Sequence, residues 1–200
     1  MLKNDRWIIE QAKQGMIAPF ESSVIREVCD KGQMGFWRKT ISYGTGSYGY
    51  DLRLAPHDFR IFRHCPGKIV NPKQFNPEHL ESAELFSDVD GDYFIIPANS
   101  YGLGVAIERL EIPKNISVVC VGKSTYARCG IIANVTPAEA GWKGHLRLEF
   151  SNASNADCRI FANEGCLQLL FFEGEPCEVT YDDRNGKYQN QNFEVTLPLA

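Results

Sequence analysis

Alternating hydrophobic and polar positions dominate the chain from residue 48 onward. Successive side chains of a strand point to opposite faces, so a period of two predicts β-structure. Turn-forming stretches such as PGK, DVDGD, PKN and SNASNAD separate these runs. The predicted strands read YGYDLRL, FRIF, YFIIPA, SYGLGVAIERLEI, ISVVCVG, IIANVT, HLRLEF, CRIFA, CLQLLFF, CEVTY and FEVTL. So many short strands with so little helix predict an all-β fold, either a barrel or a jelly-roll sandwich.

The N-terminal segment follows a helical period instead. Residues 4–15 predict one short helix, which Gly15 can end. Its apolar face carries Trp7, Ile8, Ala12 and Met16. Residues 18–40 show no clear period, so the sequence assigns them neither a structure nor a role.

Length and composition indicate a single domain over residues 1–200, with a C-terminal arm from residue 182 to 200. The first half of the arm is polar and interrupted by glycine. This composition fits either a solvated tail or a mobile arm that closes over a ligand.

Charge and cysteine usage exclude several classes of protein. The net charge is −4 and no basic block is present, so nucleic-acid binding is not expected. No apolar run is long enough to span a membrane, and the charged N-terminal segment does not fit a signal peptide. The seven cysteines form an odd set without a CxxC pair, which is typical of reduced thiols in a cytoplasmic protein.

Two apparent nucleotide motifs fail on their context. GKST follows the strand-like run ISVVCV, and Ser117 stands where a P-loop needs its first glycine. GTGSYG, residues 44–49, matches G-x-G-x-x-G but precedes the strand-like YDLRL, whereas a dinucleotide fingerprint opens a helix. Both nucleotide folds are therefore excluded.

A zinc site is not expected either. Zinc-dependent nucleobase deaminases carry H-x-E and P-C-x-x-C. Pro176-Cys177 lacks the second cysteine of that signature. None of the four histidines fits the spacing: His57, His64, His79 and His145.

The run GHLRLEFSN places Glu149 in the middle of a predicted strand. Leu146, Leu148 and Phe150 point to one face, and the polar side chains, including Arg147 and Glu149, point to the other. That polar face either lies in solvent or holds a partly buried carboxylate that can relay protons. Arg147 opposes the second interpretation, and the sequence does not decide between the two.

The run GKSTYAR also has two interpretations. Short hydroxyls and a lysine at a strand end form either an ordinary polar loop or a pocket wall that contacts an anion. Arg128 lies five residues after Lys123, close enough in sequence to belong to the same wall.

Four stretches together resemble the dCTP deaminase family of the dUTPase superfamily. SYGTGSYGYDLRL is similar to the first shared motif, with its Gly-Tyr-Asp. GKSTYARCGIIANVTPAEAGWKGHLRLEFSN resembles the central signature almost residue for residue. FANEGCLQLLFFE and YDDRNGKYQNQ resemble two downstream motifs, so the resemblance extends from residue 4 to the C-terminus.

The resemblance implies a distorted β-barrel of the dUTPase type, assembled as a homotrimer with active sites between subunits. The implied reaction is hydrolysis of dCTP to dUTP and ammonia, which supplies dUTP for thymidylate synthesis. Mg²⁺ accompanies the triphosphate, and zinc takes no part. Some members are inhibited by dTTP through an inactive conformation of the loop that corresponds here to residues 136–142.

The resemblance also implies residue roles. Glu149 matches the catalytic glutamate that relays protons, and Ser124 matches the hydroxyl that holds the attacking water, with a carbonyl of the Thr136–Pro137 turn as second holder. Arg128 matches the arginine of the same site. The implied nucleotide-binding residues are Lys123, Ser124, Thr125, Tyr126, Ala127, Arg128, Arg147, Leu148, Glu149, Gln168, Tyr181, Lys187 and Gln191.

One position bears on a second activity. Glu139, three residues before Trp142 in AEAGWKG, stands where dUTPases carry a catalytic aspartate. The sequence therefore favours a deaminase that forms dUTP. Its alternatives are a bifunctional deaminase and dUTP diphosphatase, or a nucleotide sensor without catalysis.

Overall fold

The computed structural model describes residues 1–29, 37–63 and 65–199 of a fold built mainly of antiparallel strands. His64, residues 30–36 of the unassigned segment and Ala200 of the arm lie outside the described residues. In chain order the helices and strands are α1 (Asp5–Lys13), β1 (Ile17–Ala18), β2 (Ile25–Cys29), β3 (Trp37–Gly46), β4 (Gly49–Arg53), β5 (Arg60–Phe62), β6 (Leu80–Ser82), β7 (Phe86–Asp88), β8 (Gly91–Ile96), β9 (Tyr101–Glu111), β10 (Ile116–Gly122), α2 (Ser124–Ala127), β11 (Ile131–Asn134), β12 (Lys143–Asn152), β13 (Cys158–Phe161) and β14 (Gly165–Glu173).

Helix α1 confirms the predicted N-terminal helix. The side chain of Asn4 accepts a hydrogen bond from the Trp7 N–H at 3.2 Å, which satisfies one free donor of the first turn. Ile8 and Ala12 are buried in the core. Gly15 follows the helix with a φ of +97°, a conformation that favours glycine at a helix end.

Three antiparallel sheets make up the described fold. One has the order β11–β12–β9–β5–β6, with β1 joined to β9. The second has the order β10–β14–β4–β3–β2, and the third is β13–β8–β7. The inward side chains of β4, β9, β12 and β14 share one hydrophobic core. The all-β prediction is confirmed.

Strand β9 carries two glycines, Gly102 and Gly104, where it lies against an aromatic cluster. A Cβ at Gly102 or Gly104 would lie 2.6 Å from a side-chain carbon of Phe59 or Leu54 respectively. Glycine at these positions lets Phe59 pack on the β9 backbone, where its ring stacks on Phe94 at 4.7 Å. Strand β9, which pairs with β12, therefore lies close against the core.

A buried ion pair joins the two large sheets. Arg53 on β4 donates from Nε to Glu108 on β9 at 2.7 Å, and Glu108 is fully buried. Burial raises the pKa of Glu108, while the guanidinium of Arg53 opposes that rise. The pair fixes β4 against β9, on which β12 is built.

The prediction of individual strands is partly wrong. CEVTY and FEVTL do not form strands, because their backbones pair with loops and side chains rather than with a sheet edge. In the unassigned segment 18–40, β2 and the start of β3 form a mostly polar hairpin, for which apolar alternation gave no signal. The rejection of GTGSYG is confirmed, since β3 and β4 form a hairpin around this stretch.

Candidate active site

Glu149 lies near the middle of a strand that is buried on one face only. Leu146, Leu148 and Phe150 are buried in the core, and Arg147 and Glu149 are half-buried on the other face. This alternation confirms the predicted faces of the strand. Glu149 is therefore neither a free surface residue nor a core residue.

The Glu149 carboxylate is held by an amide rather than by a cation. Asn134 on β11 lies opposite Glu149, and its Nδ2 donates to Oε2 at 3.0 Å. Burial raises the pKa of Tyr101 on β9, and the nearby Glu149 carboxylate adds to that rise. The sequence did not indicate Asn134, because only the strand register brings residues 134 and 149 together.

Arg147 turns away from Glu149. Its guanidinium donates to the carbonyl of His145 at 2.8 Å, to the carbonyl of Asn192 at 3.1 Å, and to the Thr196 hydroxyl. Burial lowers the pKa of Arg147 to about 10, and the carboxylates of Asp58 and Glu194 partly offset this effect. The sequence left open whether Arg147 neutralises Glu149, and the structure gives the arginine other partners.

A cavity of about 580 Å³ opens beside Glu149. Its mixed apolar and polar walls suit a small polar ring. The strand and loop residues of these walls include Leu103, Thr136, Pro137, Glu139, Trp142, Arg147, Glu149 and Tyr181, and the arm contributes Gln191, Thr196, Leu197 and Pro198. The predicted water-holding turn and the predicted nucleotide-binding residues Tyr181 and Gln191 thus share one cavity with Glu149.

The C-terminal arm lies on the barrel over this cavity. The Tyr181 hydroxyl accepts from the Tyr188 N–H at 3.1 Å, and the carbonyl of Gln191 accepts from the His145 N–H at 3.1 Å. Lys187 is exposed, and its Nζ donates to the Leu199 carbonyl at 2.9 Å. The arm therefore follows a defined path as far as residue 199, in contrast to a freely solvated tail.

The GKSTYAR residues form a second group around α2. Strand β10 runs to Gly122, which confirms that no wide loop precedes the lysine. Ser124, Thr125, Ala127 and Arg128 are exposed. Within the described residues, the side chains of Ser124, Thr125 and Arg128 have no hydrogen-bond or ion-pair partner. These polar side chains are free to bind a ligand or a second chain.

Two members of this group face inward. Lys123 is largely buried and forms an ion pair with Asp51 on β4, and its Nζ also donates to the Ser42 hydroxyl at 3.3 Å. Tyr126 is buried, and its hydroxyl accepts from the Phe161 N–H at 2.9 Å. The side chains of Lys123 and Tyr126 fix α2 to the barrel, and their predicted roles in nucleotide binding stay predictions.

One chain does not bring the predicted catalytic residues into a single cavity. Thr125 lines a separate depression of about 590 Å³, whereas Glu149 lines the cavity under the arm. Neither Ser124 nor Arg128 is among the lining residues of either space in the described structure. Gln168 lies on β14 opposite Val121 and Asp51, on the α2 side.

An apolar surface, which the sequence reasoning did not specify, lies beside the α2 group. Val119 and Val121 point outward from β10 and are about two-fifths exposed. Phe172 on β14 is also exposed and pairs with Ser117, and Leu170 pairs with Val119 in the register. We call Val119, Val121, Leu170 and Phe172 the β10 face.

The described residues contain no cluster of three His, Cys, Asp or Glu side chains that could hold a metal ion. No helix in the described part of the chain is long and apolar enough to cross a membrane. No disulfide joins cysteines within the described ranges.

Comparison with known proteins decides the family. A profile described as dCTP deaminase-like matches residues 2–174. The chain belongs to the dCTP deaminase-like family. A dCTP deaminase of Acidovorax sp. (strain JS42) is 51% identical over 201 residues, which cover 100% of this chain and 99% of the relative. A dCTP deaminase of Xylella fastidiosa (strain M12) is 51% identical over 98% of each chain. The chain is therefore an enzyme of this family.

A solved structure shares the fold of this family member. The 2′-deoxycytidine 5′-triphosphate deaminase from Agrobacterium tumefaciens superposes with a TM-score of 0.55 at 15% identity. The match covers 86% of this chain and 48% of the solved chain, so this chain spans about half the length of that protein. At this identity the likeness concerns the fold alone.

Proposed function

We propose that this enzyme converts dCTP and water to dUTP and ammonia at sites formed between the subunits of a homotrimer. The observation that carries the proposal is the division of the predicted site into two groups. Glu149 lies in a cavity under the arm, and Ser124 and Arg128 lie exposed and unpartnered around α2 of the same chain. A second copy that brings its α2 to the Glu149 cavity completes the set.

The β10 face supports this arrangement. This face lies on β10, the strand that leads directly into α2. Covering apolar side chains of this size with another surface is energetically favourable. A subunit docked on this face would bury the apolar stripe and place α2 at a subunit boundary. Cyclic assemblies of identical chains use such contacts to build shared sites.

Glu149 acts as the proton relay in the proposed reaction. Water attacks C4 of the cytosine ring, Glu149 accepts a proton from that water, and N3 receives a proton. The same carboxylate then takes the remaining water proton from the new C4 hydroxyl and delivers it to the amino group, which leaves as ammonia. The Asn134 amide binds Oε2 of Glu149, and Oε1 has no described side-chain donor, so Oε1 is available to accept the proton.

The neighbouring α2 supplies the remaining groups. The Ser124 hydroxyl orients the attacking water, and a carbonyl of the Thr136–Pro137 turn, which lines the Glu149 cavity, is its second holder. Arg128 carries a fixed positive charge that stabilises the tetrahedral state. This role suits an arginine without a carboxylate partner among the described residues.

The main chain of β12 offers a way to read the cytosine edge. The His145 N–H binds the Gln191 carbonyl, and Glu149 pairs with Asn134 on β11. Arg147 lies between these two partners, on a stretch that β11 does not cover. Its backbone groups can therefore pair with a base, with Leu148 as the buried support behind it.

The triphosphate is bound by side chains of both subunits. Ser124 and Thr125 offer hydroxyls on one side, and Tyr181 and the arm residues Lys187 and Gln191 lie on the other. Gln168 lies on the α2 side. The triphosphate oxygens hold Mg²⁺, because hard oxygen ligands suit this ion. The proposed reaction uses no zinc.

Glu139 makes hydrolysis of dUTP the second candidate function, but its contacts do not favour it. Its carboxylate lines the rim of the Glu149 cavity, where it forms an exposed ion pair with Arg184 on the arm. A carboxylate that activates water at phosphorus needs close positioning. An exposed pair holds its position weakly.

Inhibition by dTTP is part of the proposal, since the loop 136–142 forms one wall of the Glu149 cavity. A nucleotide that stabilises another arrangement of this loop would compete with dCTP for the active form. Added dTTP should then lower the rate and make its dependence on dCTP sigmoidal. An unchanged rate curve excludes this regulation.

A product assay tests the proposed reaction. The purified enzyme is incubated with dCTP and Mg²⁺ without added zinc, and dUTP, dUMP, pyrophosphate and ammonia are resolved. We expect dUTP and ammonia to accumulate in equal amounts. Formation of dUMP with pyrophosphate would place Glu139 in the catalytic set, and no turnover of dCTP or dUTP would leave a nucleotide sensor.

A further inference from the structure

The Glu149 carboxylate has a single side-chain hydrogen-bond donor in the described structure. Asn134 Nδ2 donates to Oε2 at 3.0 Å, and no described side chain donates to Oε1. The contact follows directly from the register, because Asn134 is the last residue of β11 and faces Glu149 across the strand pair. The paired backbones of β11 and β12 therefore set the position of the amide.

Nearby charged and titratable groups do not bond to this carboxylate. Arg147 on the same strand is bound to the arm, and Tyr101 on β9 makes no hydrogen bond to Glu149. The cavity under the arm adds Glu139, Tyr181 and Tyr188. A second depression that Glu149 also lines adds Arg63, Lys68, His79 and Cys65. The amide of Asn134 is thus the nearest polar group that acts on the carboxylate directly.

A neutral donor has a specific consequence for a proton relay. An N–H bonded to the carboxylate favours the ionised form, because the neutral acid accepts this bond less strongly. A cation at the same place would favour the ionised form far more and would weaken the carboxylate as a base. The amide also occupies Oε2 only, so Oε1 stays available for the water and for N3.

We propose that Asn134 is a positioning residue for the deamination, which holds Oε2 of Glu149 and directs Oε1 toward the reacting ring. This inference rests on the proposed function of Glu149. Asn134 acts through Glu149 and makes no contact with the substrate in this role.

Two nearly isosteric variants remove the donor without a large change of shape. Asn134→Leu deletes the hydrogen bond, and Asn134→Asp deletes it and adds a like charge. For the loss of a hydrogen bond to a charged group we expect kcat to fall about tenfold in Asn134→Leu and further in Asn134→Asp, with KM nearly unchanged.

A matched control exists beside the first residue of β10. Asn115 Nδ2 donates to Glu173 Oε1 at 3.1 Å, which is the same type of contact outside the candidate site. Asn115→Leu should leave kcat, KM and the pH profile as in the wild type. A partial return of activity in Asn134→Gln, which keeps an amide at this position, would further support a positioning role.

A measurement without turnover separates this inference from the proposed function. In protein labelled with ¹³C at glutamate Cδ, the Glu149 signal is assigned by its absence in Glu149→Gln. Its chemical shift at one fixed pH should change in Asn134→Leu and stay as in the wild type in Asn115→Leu. Equal chemical shifts and equal kcat in the wild type and both Asn134 variants would overturn the inference. A changed Glu149 signal in an enzyme that does not deaminate dCTP would contradict only the proposed function.

Discussion

At the residue scale, the lysine of GKST is part of the interior of the fold. Lys123 and Asp51 are each nearly nine-tenths buried and form an ion pair between β10 and β4. Lys123 pairs with Oδ2 of Asp51, whereas Oδ1 is buried and has no hydrogen-bond partner among the described residues. The pair links the Gly-Tyr-Asp motif to the motif that carries Ser124 and Arg128. The ion pair of Lys123 with Asp51 therefore fixes the position of α2, which begins at the next residue.

Removal of one member of this pair should destabilise the fold. Lys123→Met leaves the Asp51 charge buried without a partner, which typically costs about 3 kcal/mol or more. The double variant Lys123→Met with Asp51→Leu should recover most of the loss, since neither charge remains. Urea unfolding measures both effects.

An exposed ion pair is the control for this prediction. Lys68 and Glu78 form a similar contact with side chains that are at least half exposed. Lys68→Met should leave the unfolding midpoint unchanged, because solvent screens such pairs. Equal stability of the wild type and Lys123→Met would show that the Lys123 pair is not structural.

At the element scale, the arm is fixed to the barrel by β12 and the loop before β5. Arg147 holds Asn192 and Thr196, and the Val195 N–H donates to Asp58 at 2.6 Å. The Phe193 ring packs on His57 and His145 with centroid distances of 4.4 and 4.6 Å. These contacts place the end of the arm over the Glu149 cavity.

Loss of Arg147 should therefore release the arm. In Arg147→Ala we expect trypsin to cleave at Arg184 and Lys187 about tenfold faster than in the wild type, because local opening exposes the backbone. The KM for dCTP should rise as well. Cleavage is followed by mass spectrometry.

Arg159→Ala is the matched control for the arm. Arg159 is a half-exposed arginine that forms an ion pair with Asp88, and it lies on β13 in the third sheet, away from the contacts of the arm. Its loss should not change cleavage of the arm. If Arg147→Ala and Arg159→Ala are cleaved alike, Arg147 does not hold the arm.

The strands of the site were predictable, but their partners were not. Local alternation in HLRLEF predicted the half-buried face of Glu149, and the structure confirms it. The contact between Asn134 and Glu149 depends on a register between strands, which no local period encodes. FEVTL alternates like a strand, yet it is bound by the side chains of Asp58 and Arg147 and not by the edge of a sheet.

At the scale of the whole molecule, the division of the site is the central result. Sequence similarity groups Ser124, Arg128 and Glu149 into one motif, whereas in the single chain Glu149 lines the cavity under the arm and Ser124 and Arg128 do not. No pattern along one chain can encode a contact between two copies directly. The exposed β10 face favours the proposed docking of a second copy.

A complementation measurement tests this account most directly. Glu149→Gln and Arg128→Ala should each bind dCTP but turn it over at least about a hundredfold more slowly than the wild type. Mixed trimers are formed by dissociating and reassembling the two variants in equal amounts. If each site takes Arg128 from one subunit and Glu149 from another, about a quarter of the sites contain both intact residues, and activity returns to about that fraction of the wild type. Subunit exchange is verified with two affinity tags. No recovery of activity in verified mixed trimers would contradict a site shared between subunits.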